Sequence, residues 1–144
     1  MPESSLPPSR TARGFTLLEL LVVMVIIGLL AGFVAPRYFA QVGKSQVKAA
    51  RAQLDALDKA LEQFRLDAGR LPTTEEGLAT LNTAPPNLTG WGGPYLKKAV
   101  PNDPWGHPYV YAAPGTHNND FDLSSLGKDG RPGGTGEDAD VTNW

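Results

Sequence analysis

The 144-residue chain has no cysteine and only two histidines, His107 and His117. Without cysteine there is neither a disulfide to staple a small domain nor a thiol nucleophile. Both histidines fall in loop-like stretches, so no metal-ligand histidine pair exists, and no phosphate-cradling glycine loop opens a helix. Asp103 and His107 are the one pair that could serve as a base and its orienter. At a spacing of four in a proline-rich turn they read better as a surface contact, and the chain is not expected to be an enzyme. A basic stripe is also lacking. The net charge is -2, and seven of the fifteen acidic residues lie between Asp103 and Asp140, opposed there only by Lys128 and Arg131. Nucleic-acid binding therefore has no electrostatic support.

What the chain does have is one long apolar run. Phe15 to Ala35 is 21 residues with a single charge, Glu19, about the length that crosses a hydrocarbon layer of roughly 30 Å as a helix. Before it stands a polar leader, residues 1–14, with Arg10 and Arg13 against Glu3. That positive bias keeps the leader cytoplasmic and sends the rest of the chain outward. A secretory signal would have a shorter apolar core followed by a small-residue cleavage site. Here the small residue, Gly14, precedes the core, so a cut after it leaves the helix on the mature protein.

The segment Arg13-Gly14-Phe15-Thr16-Leu17-Leu18-Glu19 resembles the class III leader of type IV pilins and type II secretion pseudopilins. The resemblance implies cleavage between Gly14 and Phe15 by a dedicated prepilin peptidase, which also methylates the new Phe15 amine. Glu19 is costly in an apolar helix, about 2.5 to 3.5 kcal/mol without a partner. The resemblance implies that the partner is the terminal ammonium of a neighbouring subunit, which would set the register of a filament. The alternative is an incidental polar residue near the membrane edge.

Residues 36–144 suffice for one small domain. Pro36, with Gly28, Gly32 and Gly43 nearby, is expected to kink or locally loosen the helix, leaving one long, interrupted rod. A helix then resumes over 36–68, because Val47, Ala50, Leu54, Leu57, Leu61 and Phe64 alternate at spacings of three and four and share one face. That stripe packs on a domain; a heptad coiled coil is the competing reading. Gly69 supplies a left-handed cap and Pro72 stops the helix. Thr73 or Thr74 then caps a connector helix through about Leu81, with Glu75 and Glu76 at its positive end. The proline- and glycine-rich stretch from Thr83 to Gly93 is a loop that Trp91 and Tyr95 anchor on the core. Tyr109-Val110-Tyr111 and Phe121-Asp122-Leu123 are strands around the Pro114 to Asn119 loop, forming a small antiparallel sheet that the amphipathic helix covers.

The glycine-rich acidic stretch from Phe121 to Asp140 has the chemistry of a calcium loop, since interspersed Asp and Ser with free carbonyls can surround a hard cation with oxygens. The spacing is not that of an EF-hand. A solvated acidic loop is the alternative.

Thr73-Thr74-Glu75-Glu76-Gly77-Leu78, Trp91-Gly92-Gly93-Pro94-Tyr95-Leu96, Asp103-Pro104-Trp105-Gly106-His107-Pro108-Tyr109, Ser125-Leu126-Gly127-Lys128-Asp129-Gly130 and Asp138-Ala139-Asp140-Val141-Thr142-Asn143-Trp144 extend the likeness over essentially the whole chain. They resemble the major pseudopilin of type II secretion systems, the general secretion pathway protein G family. The resemblance implies an α+β type IV pilin-like fold: leader (1–14), transmembrane or filament-core helix (15–35), amphipathic helix (36–68) and periplasmic globular domain (69–144). It implies a calcium ion held by the Leu126 carbonyl and Asp129, with Asp138 or Glu137 as second acid, Asp138 being preferred. Ser124 and Arg131 carbonyls are further donors, and Asp140 is structural.

The function implied is that of the major subunit of a pseudopilus in a Gram-negative bacterium, anchored in the inner membrane by a single span. Polymerising in the periplasm, it would drive folded proteins across the outer membrane. Its partners would be further copies of itself, minor pseudopilins, the prepilin peptidase and methyltransferase, and an inner-membrane platform with a cytoplasmic ATPase. Two rivals remain: a type IV pilus major pilin, which commonly carries a C-terminal cysteine pair absent here, and a non-polymeric single-span calcium-binding protein.

Overall fold

The computed structural model describes residues 14–144; leader residues 1–13, with Glu3, Arg10 and Arg13, lie outside the described residues. One helix, α1 (Leu17–Ala68), passes through two compact units, the first ending at Phe39 and the second running from Ala40 to Trp144. Pro36 sits inside α1, which continues through it. The expected interruption is therefore absent. Pro36 removes one helical donor without ending the helix.

In the first unit the helix is apolar on every side and its side chains are exposed, from Leu17 and Leu18 through Phe33 and Val34. It is long and apolar enough to cross a membrane. A helix with no polar face has no use for water, and exposure of this many apolar side chains requires lipid or other protein around it.

In the second unit the pattern becomes one-sided. Ala50, Leu54, Leu57, Leu61 and Phe64 are buried, and Val47 packs against them. They form one core with Leu78, Leu81, Tyr109, Tyr111, Phe121, Leu123 and Val141. The stripe is thus spent within the domain and is not a coiled-coil seam. Three antiparallel strands lie in the order β1 (Val110–Ala112), β2 (Asp122–Ser125) and β3 (Val141–Thr142). Tyr111 pairs with Leu123, and Ser125 with Val141. The third strand was not expected, because two residues offer no alternation to read. Its place comes from Asn143, whose side-chain oxygen accepts from Leu123 N at 2.9 Å while its own N–H returns to Leu123 O at 3.1 Å.

Polar ties fasten helix to sheet around this core. Tyr109 Oη donates to Gln53 at 2.5 Å, and Arg65 meets Asp120 at 2.6 Å. At the end of α1, Gly69 adopts φ 73° and its N–H closes on Arg65 O at 2.8 Å, the left-handed stop anticipated from the sequence. Trp91 Nε1 donates to Thr80 O, and its ring meets Tyr95 edge-on, which meets Phe64 in turn. These contacts anchor the loop as expected.

The connector is not a single helix. Thr73 and Glu76 cap one another, Thr73 N donating to Glu76 Oε2 at 2.9 Å and Glu76 N to Thr73 Oγ1 at 3.2 Å. Gly77, at φ 63°, then breaks that turn from a 3-10 turn over Leu78–Leu81. Arg70 grips the same carboxylate with two bonds of 2.7 and 2.8 Å. Arg70 and the Thr73 N–H together hold the Glu76 carboxyl at about 2, far below its ordinary range. With a lowered folded-state value, the stabilisation is complete above the unfolded value near 4.5 and lost as pH falls toward about 2. Urea midpoints of the wild type are expected to fall between those limits, and Glu76→Gln is expected to flatten that dependence while lowering stability at neutral pH.

Candidate functional site: the start of the helix and the C-terminal loop

Two places gather the chemistry, one in each unit. In the first, Gly14 and Phe15 precede the helix, and Phe15 is 84% exposed. Thr16 is the residue before the first helical turn. Its hydroxyl accepts from Glu19 N at 3.1 Å, and Glu19 Oε2 accepts from Thr16 N at 2.9 Å. This is a reciprocal capping box: two N–H groups that the first turn leaves without intrahelical partners are satisfied, with the carboxylate at the positive end of the helix. Glu19 therefore already has one partner within its own chain. Sequence reasoning missed Thr16, although Thr16-Leu17-Leu18-Glu19 is itself a readable T-x-x-E signature.

In the second unit the loop from Leu126 to Asp140 leaves β2 over a buried polar prop. Asp103 is buried; its Oδ1 accepts from His107 N at 2.8 Å and Trp105 N at 3.1 Å, and its Oδ2 from Ser125 Oγ at 2.6 Å. Ser125 Oγ in turn accepts from Gly127 N, and His107 Nδ1 lies 3.1 Å from Gly127 O. Asp103 and His107 thus work as a scaffold under the loop and do not form a surface contact. A carboxylate with three donors offsets its own desolvation.

The structure distributes the expected ligands unevenly. Asp129 is exposed and its Oδ1 accepts from Arg131 N at 3.1 Å. Leu126 and Asp138 are half-buried, and Arg131 is exposed. The Asp138 backbone is wedged against Gly127, whose Cβ would stand 2.8 Å from the Asp138 carbonyl, and against Gly134. Both glycines have positive φ, so their conformation and the close approach exclude side chains there. Ser124 lies inside the sheet, between Val110 and Thr142, and not in the loop. Glu137 is taken up by Lys128, Nζ to Oε2 at 2.9 Å. The same bond holds the Lys128 ammonium above its ordinary range.

Asp140 Oδ2 accepts from Gly133 N at 3.0 Å, and its Oδ1 is buried with no hydrogen-bond partner. Among the described residues no three acidic or histidine side chains converge on one point. The donor set nonetheless fits a hard cation. It is oxygen throughout, and the unpaired Asp140 oxygen is an acceptor that needs a cation or water. Backbone carbonyls would have to complete such a shell.

Comparison with known proteins bears on the start of the helix and on the second unit as a whole. Residues 9–35 match the model of the prokaryotic N-terminal methylation motif. Together with a single apolar helix and a small three-stranded sheet, this defines a pilin-like protein anchored in the membrane by one span. Residues 37–144 match the model of type II secretion system protein G. The type II secretion system core protein G of Pseudomonas aeruginosa is 42% identical over 138 residues, covering 94% of this chain and 96% of the relative. That of Escherichia coli K12 is 42% identical over 135 residues, covering 92% and 90%. A crystal structure of the major pseudopilin from the type 2 secretion system of enterohaemorrhagic Escherichia coli superposes with a TM-score of 0.61. It is 34% identical and covers 72% of this chain and 87% of that one. The chain belongs to the type II secretion system protein G family, whose members are structural subunits.

The capping box carries its own prediction. Thr16→Val removes the hydroxyl acceptor and is expected to cost the first turn about 1 kcal/mol, while Thr16→Ser retains it. Amide exchange at Leu18 and Glu19 in micelles should be faster in Thr16→Val alone.

Proposed function

We propose that this chain is made as a precursor, cut between Gly14 and Phe15, N-methylated at Phe15, and assembled as the major subunit of a periplasmic type II secretion pseudopilus. The observation that carries this reading is the methylation-motif match over residues 9–35, directly followed by the protein G match from residue 37. The exposure of Gly14 and Phe15 ahead of the helix supports access by a peptidase. Subunits waiting in the inner membrane would be extracted by the assembly platform and its ATPase, with minor pseudopilins as further partners. Burial of the apolar face from Leu17 to Val34 against neighbouring copies would replace lipid contact.

Glu19 has two oxygens, of which Oε2 accepts from Thr16 N. Its charge would be neutralised by the Phe15 ammonium of the adjoining copy, which exists only after cleavage. Glu19→Ala is expected to insert and be cut normally yet yield no filaments. Mass spectrometry of the mature N-terminus and a secretion assay in a deletion strain check both parts; secretion supported by uncut precursor would overturn the reading.

Calcium in the C-terminal loop is part of the same proposal. Asp129, Asp138 and the Leu126 carbonyl would hold it, with the Arg131 carbonyl and the unpaired Asp140 oxygen as supplementary donors. The ion would supply positive charge to the carboxylates of this acidic loop. Calcium is expected to raise the melting temperature of the full chain in detergent, and Asp129→Ala to abolish the shift. A wild-type melt indifferent to calcium would remove this part.

A further inference from the structure

We propose that the C-terminal loop is a strap latched onto α1 by Glu137 seated on Gly43, and that the order of the helix around residue 43 depends on that latch. Gly43 is buried in the middle of a helical segment, where glycine weakens the helix. The structure gives the reason for tolerating it. A Cβ built on Gly43 would stand 2.6 Å from Glu137 Cγ and closer still to the carboxylate. Any side chain at this position displaces Glu137.

The other side of Glu137 is held by Lys128, through Nζ to Oε2 at 2.9 Å and through backbone N to Glu137 O at 2.9 Å. A carboxylate pressed against a helix is partly desolvated, and the paired ammonium offsets that cost. The seat opens into a cavity of about 590 Å³ lined by Ala40, Lys44, Val47, Lys48 and Gly136 as well as Gly43 and Glu137. Glu137 is thereby assigned to joining loop and helix, separately from any cation held by Asp129 and Asp138.

Hydrogen exchange of the full chain in micelles, read at the amides of residues 40–50, tests the latch. Glu137→Ala and Gly43→Ala are each expected to speed exchange there roughly tenfold, with the amides of residues 57–64 unchanged as evidence that the core stays folded. Lys128→Met, which leaves the core untouched, should give a smaller increase. Gly43→Ala is the sharpest arm, because alanine by itself strengthens a helix. Unchanged or slower exchange in Gly43→Ala, or wild-type exchange in Glu137→Ala, overturns the proposal.

A last arm rests on the calcium reading above. Calcium should slow the same amides in wild type and leave Glu137→Ala unaffected. If wild type ignores calcium while Glu137→Ala still exchanges fast, the latch stands and the calcium reading falls. Equal slowing in both proteins would exclude Glu137 as the route.

Discussion

The second unit depends on covering one stripe of one helix. Ala50, Leu54, Leu57, Leu61 and Phe64 are apolar surface that α1 cannot hide by itself, and strands of three, four and two residues cannot form a stable sheet by themselves. Each supplies what the other lacks. Nine strand residues contribute Tyr111, Leu123 and Val141 to the shared core, and the loops contribute Leu78, Leu81, Tyr109 and Phe121. With so little regular sheet, the loops must be fixed by side chains, which explains the density of capping and side-chain-to-backbone bonds from Arg70 to Gly127. The absence of cysteine makes this polar framework the means by which the loops are held.

The first turn of α1 and the C-terminal loop share a physical theme. In both, a carboxylate is placed where charge is costly and is stabilised by donors from its own neighbourhood. Glu19 takes the Thr16 N–H, Asp103 takes two backbone N–H groups and the Ser125 hydroxyl, and Glu137 takes Lys128. Asp122 belongs with them. Burial opposes its ionisation, but the Thr116 N–H and hydroxyl and His117 outweigh that cost and hold its carboxyl at about 2. Asp103 and Glu137 in particular fix loop segments rich in glycine, proline and polar residues, where charge placement supplements core packing.

Much of this was legible in advance, and particular residues show why. The 3.6-residue spacing of Ala50 to Phe64 states which face is buried, because helical geometry alone places those side chains together. Gly69 announces the end of the helix for an equally local reason. By contrast, the connector was misread because Thr73, Thr74, Glu75 and Glu76 all favour a helix start, and nothing local says that Gly77 will turn left-handed. At Pro36 the helix runs on although one donor is lost. Among the expected ligands, Leu126, Asp129, Arg131, Glu137 and Asp138 fall in one loop, whereas Ser124 is in the sheet and the Glu137 carboxylate is paired with Lys128.

The amino-acid order by itself determined the apolar membrane helix, the amphipathic stripe that follows it, the processing motif around Gly14 and Phe15, and the glycine-rich acidic loop. All of these are properties of residues near one another along the chain. Only the tertiary structure decided that β3 completes the sheet, that Asp103 and His107 prop up the loop from twenty or more residues away, and that Gly43 is kept bare for Glu137. Such pairings depend on which backbones meet in space, and for sequence separations this large no local pattern encodes the meeting.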